Sequence, residues 1–405
     1  MRSYSFLAIV FLCLALLLVD SLAFYWLYSI MRPIGSTLLK NSIYTAFWFF
    51  TIGLILSILV LKLKLELIAV ERQQLVISRL YGLTVSSFIP KIIFVLVITI
   101  LYFSNVMLSD TESLIVIPIL GVFAGFLPFF VILYAIFSAV FRFKVQHVGV
   151  KFEILPKSYD GLRIVHISDL HLGSFNYRYH ILDRAIKTIN QQKPDLIFFT
   201  GDLVNNYSWE LKGWDKVLKK LSAVHGKYAV LGNHDYGDYS EWPTPKDKLE
   251  NFENIKNFYK KIDFELLLND ARPMSYKEDK IAIVGVENWG NPPFVQYGDL
   301  QKSLKDVCDI PFKILLSHDP SHWSQEVVGH TDIALTLSGH THGMQAGVNF
   351  RNKKWSPIKY KYAHWIGLYN NQNQYLYVNR GLGWMGFPGR LGMRPEITVI
   401  ELMKK

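Results

Sequence analysis

Residues 164–171, IVHISDLH, form an apolar run that ends on Asp169 and His171, two metal-ligand side chains with one residue between them. A strand end is stiff, so alternate residues just past it can be aimed at one cation. Four more segments repeat the arrangement. Gly201-Asp202 follows the apolar run 196–200, Gly232-Asn233-His234-Asp235 follows 228–231, Ser317-His318-Asp319 follows 313–316, and Ser338-Gly339-His340-Thr341-His342 follows 333–337. Open α/β sheets carry their sites at such carboxyl ends. Imidazole, carboxylate and amide oxygen together suit Mn, Fe, Co or Zn, whereas Mg and Ca prefer oxygen alone. Taking from these segments two Asp, one Asn and four His as the candidate ligands leaves too many for one ion and fits two ions sharing a carboxylate. Two such ions ~3.5–4 Å apart can hold a hydroxide between them and orient phosphoryl oxygens.

The elements that would position these residues can be read from the spacing. From Tyr159 short apolar runs alternate with amphipathic segments: a strand to Ser168, a helix over 179–191, a strand to Thr200, a helix over 209–222 and a strand to Leu231. That alternation predicts βαβ units. A further helix is expected over 246–261, with strands over 281–286, 313–316, 333–337, 375–378 and 397–402. The strand-rich rear half implies a second sheet packed on the first. Residues 145–158 read as a short connecting strand and linker closed by Pro156.

Ahead of residue 145 lie four apolar stretches, about 5–30, 42–61, 88–108 and 114–141. Each reaches the ~20 residues that cross a hydrocarbon core. The expected organisation is a four-helix transmembrane region over 1–144, the linker 145–158 and a soluble domain over 159–405. Lys62, Lys64, Arg72 and Arg79 lie between the second and third stretches, and Arg142, Lys144 and Lys151 follow the fourth; Asp110 and Glu112 sit in the last turn. By the positive-inside rule both termini and the soluble domain are cytoplasmic. A competing reading makes the first stretch a signal peptide cut near Ser21-Leu22-Ala23, but the apolar run continues to Ile30. The net charge of +10 fits basic membrane loops, and no nucleic-acid module accompanies it. Two cysteines, Cys13 and Cys308, exclude a disulfide framework.

The ordered set D-x-H, G-D, G-N-H-D, S-H and G-H-T-H resembles the calcineurin-like metallophosphoesterase family. As a set the blocks are specific, although D-x-H or G-D alone would be an ordinary turn. The resemblance implies a four-layer α/β/β/α sandwich of two mixed sheets over roughly residues 160–405. It further implies that Asp169, His171 and His342 bind one metal, that Asp202 bridges, and that Asn233, His318 and His340 complete the second site. His234 would stand beside the metals as an acid or anion stabiliser, with Asp235 orienting its ring. The sequences ISDLHLG (167–173), TGDLV (200–204), GNHDY (232–236), SGHTHG (338–343), VNRGLG (378–383) and RPEI (394–397) look most like the bacterial membrane-associated branch that includes UDP-2,3-diacylglucosamine pyrophosphatases. Met344 departs from that branch, which commonly has glycine there, and a side chain at this position would narrow the space beside His342.

The expected function is a membrane-anchored dimetal phosphohydrolase of the bacterial inner membrane. It would use two divalent ions (Mn, Fe, Zn or Co) to cleave a phosphoester or pyrophosphate bond of a lipid-linked or nucleotide substrate. Its partners would be the lipid bilayer and that phosphorylated substrate, with no nucleic acid. Arg380, Arg390 and Arg394 lie in a glycine-rich tail and are candidate phosphate contacts; the plainer reading makes them salt-bridged turn residues. Two other functions remain open at this level: a membrane signalling or transport protein whose domain binds a phosphorylated ligand without turnover, and a phosphodiesterase acting on nucleic acid or a cyclic nucleotide. The seven histidines outside the blocks, His166 among them, read as structural or surface.

Overall fold

The computed structural model describes residues 5–108, 116–350 and 353–405. The chain divides into two compact units, Ala139–Met385 with Arg390–Lys405, and Arg2–Ser138 with Gly386–Gly389. In the helical unit, α1 (Phe6–Met31), α2 (Thr37–Lys64), α3 (Val70–Leu108) and α4 (Val116–Phe137) are each long and apolar enough to cross a membrane. The third helix starts 18 residues earlier than the expected 88 because the amphipathic segment before it, with Arg72 and Arg79, continues the same helix. Asp20 is buried and accepts hydrogen bonds from Thr51 Oγ1 and from Lys91 Nζ at 2.8 Å, so one carboxylate joins α1, α2 and α3. Asp110 and Glu112 lie outside the described residues.

The other unit runs in chain order through β1 (Lys144–Phe152), β2 (Arg163–Ile167), α5 (Tyr179–Gln191), β3 (Leu196–Phe199), α6 (Asp215–Leu218), β4 (Lys227–Ala229), α7 (Pro245–Lys261), β5 (Glu265–Leu266), β6 (Asp270–Tyr276) and β7 (Asp279–Gly285). It continues with α8 (Leu300–Leu304), β8 (Lys313–Leu316), β9 (Leu335–Ser338), β10 (Val348–Phe350), β11 (Lys353–Trp355), β12 (Gly367–Asn371), β13 (Gln374–Val378) and β14 (Glu396–Lys404). Two six-stranded mixed sheets result, β1-β14-β2-β3-β4-β5 and β12-β13-β9-β8-β7-β6, with β10-β11 as a separate hairpin. Side chains alternate across each strand. In β3, Leu196 and Phe198 point between the sheets while Ile197 and Phe199 meet the helices. In β8, Ile314 and Leu316 face inward and Leu315 faces outward. Strands apolar on both faces read as the continuous runs of the sequence. Each such Leu, Ile or Phe contributes about 1.5–3 kcal/mol on burial. The layers are therefore helices, sheet, sheet, helices.

One local expectation gains a partner and another changes. The strand expected within 145–158 is β1, whose Val150 and Phe152 are buried and which pairs in parallel with β14 over nine residues. Its partner lies some 250 residues away, which hid the pairing from a local reading. The helix expected over 209–222 shortens to a turn at Ser208–Leu211 and the four-residue α6, because Gly213 between them takes a left-handed φ of +79°.

Candidate metal centre

The five segments converge at the carboxyl ends of β2, β3, β4, β8 and β9. Asp169, His171 and His342 offer ligand atoms within 4.8 Å of one another, as do Asp202, His318 and His340. Asp202 Oδ2 lies 3.5 Å from His171 Nε2 and 3.2 Å from His318 Nε2, so one carboxylate stands between the two groups. His342 Nε2 is 3.2 Å from Asp169 Oδ1 and 3.1 Å from His171 Nε2. Asn233 Oδ1 lies 3.1 Å from His318 Nε2 and 2.8 Å from His340 Nδ1. Its amide nitrogen donates to Tyr239 Oη at 2.8 Å, which fixes the oxygen toward the histidines.

The outer faces of the rings are held as well. His318 Nδ1 donates to the Thr200 carbonyl at 2.6 Å, leaving Nε2 toward Asp202. His340 Nε2 contacts Tyr362 Oη at 2.7 Å, leaving Nδ1 toward Asn233. Such outer contacts set tautomer and ring orientation in metal sites. The backbone is strained at the same positions: Asp169, His171, Asp202, His340 and His342 all take φ between 44° and 68°. Left-handed backbone costs roughly 1–2 kcal/mol per non-glycine residue and persists where a function holds it.

Protonation states follow from the same geometry. Burial opposes ionisation of Asp169, yet the His342 imidazole beside it holds the carboxyl well below its usual range. Asp202 is lowered in the same way, against burial, by His318 and His234. Burial drops His171 to about 3, so it is a neutral imidazole. Burial also opposes charge on His318, but Asp202 raises it to about 10 in the metal-free chain. A cation binding His318 must therefore displace a proton and binds more tightly as pH rises.

Residues 162–344 match the calcineurin-like phosphoesterase family. The metallophosphoesterase YkuE of Bacillus subtilis (strain 168) is 34% identical over 261 residues, covering 62% of this chain and 83% of that relative. The chain belongs to the calcineurin-like phosphoesterase family. A metallophosphoesterase of Helicobacter pylori (strain ATCC 700392 / 26695) is 28% identical over 389 residues, 93% of this chain and 95% of its own. A Danio rerio transmembrane protein with a metallophosphoesterase domain is 30% identical over 66% of this chain, which spans 59% of that relative. The protein is thus a metal-dependent phosphoesterase hydrolase with four candidate transmembrane helices. The donor set, imidazole nitrogens and carboxylate and amide oxygens in two groups with one carboxylate between them, fits the dinuclear divalent centre of a phosphoesterase.

Other sequence expectations meet different surroundings. His234 stands beside the two groups, its ring 5.2 Å from that of His171, but Asp235 does not orient it. Asp235 is buried and accepts the backbone N–H groups of Asp202, Leu203, Val204 and Gly232 at 2.9–3.2 Å. Neighbours in a tight turn point different ways; this carboxylate fixes the loop that carries Asp202. The His234 ring is held instead by the Asn205 carbonyl, 2.7 Å from Nδ1, and the His234 backbone N–H donates to Asp202 Oδ1 at 2.9 Å. The arginines of the tail are committed elsewhere. Arg380 is buried against Glu396. Arg390 is fully buried, with Nη2 directed to the Gly381 and Gly383 carbonyls and 3.1 Å from His342 Nδ1. Arg394 donates to the carbonyls of Arg142 and Phe143. Their donors serve the polypeptide and brace the loop around His342, in line with the salt-bridged turn reading. Met344 is 53% exposed.

Several contributors carried no sequence signal. The carbonyls of Thr200 and Asn205 act through backbone atoms common to every residue, and Tyr362 enters from a segment 20 residues past His342. Glu210, fully buried, accepts from the backbone of Gly173, Asn205, Asn206 and Tyr207 and ties the loops after β2 and β3 together. Gly339 offers a direct test of how tightly these loops are packed. A methyl group there would overlap Ser168 Oγ and Asp169 Oδ2. Overpacking of this kind costs about 1–3 kcal/mol. Gly339→Ala should lower Tm and reduce bound metal below two ions per chain, read by thermal melting and elemental analysis; a variant with wild-type metal content would contradict the packing.

Proposed function

We propose that the protein hydrolyses a phosphoester or pyrophosphate bond of a lipid-linked substrate in the cytoplasmic leaflet of a bacterial inner membrane. UDP-2,3-diacylglucosamine is the specific candidate. Asp169, His171 and His342 would hold one divalent cation, Asn233, His318 and His340 the other, and Asp202 both. The observation that carries the reading is the Asp202 carboxylate placed between two ligand groups in a chain that also bears four membrane-length apolar helices. Lys62 and Lys64 at the end of α2, Arg72 and Arg79 at the start of α3, and the basic residues after α4 support the cytoplasmic placement. Mixed nitrogen and oxygen donors favour Mn, Fe, Zn or Co.

Two bound cations supply Lewis-acid neutralisation of charge developing on phosphorus and a lowered pKa for water. The chain supplies the rest. Water adds to phosphorus while the bond to the leaving oxygen breaks. In its imidazolium form His234, whose Nδ1–H donates to the Asn205 carbonyl, gives its Nε2 proton to the leaving oxygen and is reprotonated by the proton that the attacking water sheds. Asp202 fixes the backbone of His234 and so the height of that ring. The full-length enzyme in detergent with added Mn should cleave UDP-2,3-diacylglucosamine much faster than bis(p-nitrophenyl) phosphate, and a chelator should abolish both activities. Cleavage of the generic diester alone would keep the hydrolase and discard the lipid nucleotide. Silence on both would favour a binding module.

A further inference from the structure

From Ile333 to Pro395 the chain has no acidic residue and eight basic ones. Three of the eight, the tail arginines, are engaged as described above. Four others, Lys353, Lys354, Lys359 and Lys361, are exposed, and among the described residues none pairs with a carboxylate. They surround large apolar side chains that are also exposed: Trp355 is 45%, Val348 51% and Tyr360 78% accessible. This is no random scatter, because Val348 and Trp355 are direct partners in the β10-β11 hairpin. Directly opposed side chains lie on one face of a hairpin, and Lys353, two residues before Trp355, shares it.

The hairpin is rooted in the metal centre. Ser356 Oγ donates to the Gly343 carbonyl at 2.9 Å, and Gly347 N–H donates to the Leu391 carbonyl at 2.9 Å, so its base is fixed to the loop that carries His342. At the other end of the segment Lys361 Nζ stands 5.2 Å over the Phe294 ring and 5.3 Å over the Tyr362 ring. Both rings pack against His340, with centroids 5.0 and 5.4 Å away. A cationic and aromatic surface thus runs from the hairpin to the edge of the site.

Exposed tryptophan and aliphatic groups among unpaired lysines match one environment. The headgroup region of an anionic bilayer takes amphipathic rings and short apolar side chains at its apolar boundary, and it attracts lysine ammonium groups. We propose that the β10-β11 hairpin and the lysine-rich turn after it dock on an anionic lipid surface beside the metal ligands. The proposal deepens the lipid-substrate reading and rests on it for its purpose: an anionic amphiphile would then reach the site without leaving the surface. Charge complementarity selects the occupant, since a neutral surface gives the lysines nothing to meet and a nucleic acid gives the Val348 and Trp355 pair no apolar boundary.

The test uses the full-length protein in vesicles whose acyl chains carry bromine, a contact quencher of tryptophan. The difference in emission between wild type and Trp355→Phe isolates Trp355. In vesicles containing phosphatidylglycerol that component should be quenched and should recover at high salt; in phosphatidylcholine alone it should stay bright. Lys353→Gln with Lys354→Gln should weaken docking on the order of fivefold per lysine, with circular dichroism confirming the fold. Equal Trp355 emission in both bilayers would overturn the proposal, as would a response to added single-stranded RNA in place of bromolipid. Wild-type hydrolysis of bis(p-nitrophenyl) phosphate in the same vesicles keeps the two readings separate, because its loss would remove the phosphoesterase assignment and leave the quenching result standing.

Discussion

Asp202→Asn should lower turnover by about 10³-fold or more while the protein still folds. The carboxylate approaches nitrogen ligands of both groups, at 3.5 and 3.2 Å, so its charge is the one shared by the pair. Losing the charge of a shared carboxylate weakens both cations' binding and their neutralisation of transition-state charge, worth several kcal/mol, and each 1.36 kcal/mol is tenfold in rate. The fold should survive because an amide oxygen can still accept the His234 N–H that Oδ1 now takes at 2.9 Å. Elemental analysis should find fewer than two ions per chain, and kcat should fall with an unchanged circular dichroism spectrum. Full activity in the variant would remove the two-metal assignment. So would a protein that binds both ions normally yet is dead, because the carboxylate would then be acting on the substrate and not on the metals.

Much of the strand layout was readable because a strand buried on both faces leaves a continuous apolar run, and β2, β3, β8 and β9 each end on chemistry-bearing residues. Helices α5 and α7 were legible through their spacing, and the structure adds the Thr244 and Asp247 capping box at the start of α7. What escaped notice depended on distance or on backbone. Strand β1 pairs with the far end of the chain, and no local pattern announces that. The amides gathered by Asp235 and Glu210 belong to turns whose shape no side-chain alphabet spells out, so Asp235 was expected at the ring of His234 when it serves the loop of Asp202. The tail arginines carried two readings, and their surroundings agree with the plainer one of salt-bridged turn residues. Arg380 and Arg390 looked like phosphate binders because glycine-rich loops with arginine suggest anions, but burial gave them Glu396 and four backbone carbonyls as closer company.

His234→Gln should reduce kcat about 10²- to 10⁴-fold, the usual range for loss of a positioned acid, while leaving two metals bound. Its ring is half-buried beside His171 and Tyr239, and its Nδ1 is occupied by the Asn205 carbonyl. It belongs to neither ligand group. The acid role makes a sharper demand than loss of rate. A nitrophenolate leaves without needing a proton, whereas the alkoxide of an ordinary ester does not. The variant should therefore be far less impaired on bis(p-nitrophenyl) phosphate than on an alkyl phosphodiester. Equal losses on both would point to His234 as a stabiliser of charge on the phosphoryl oxygens, since that charge develops whichever group departs. Loss of metal from the variant would move His234 into the ligand set and leave the proton to another group.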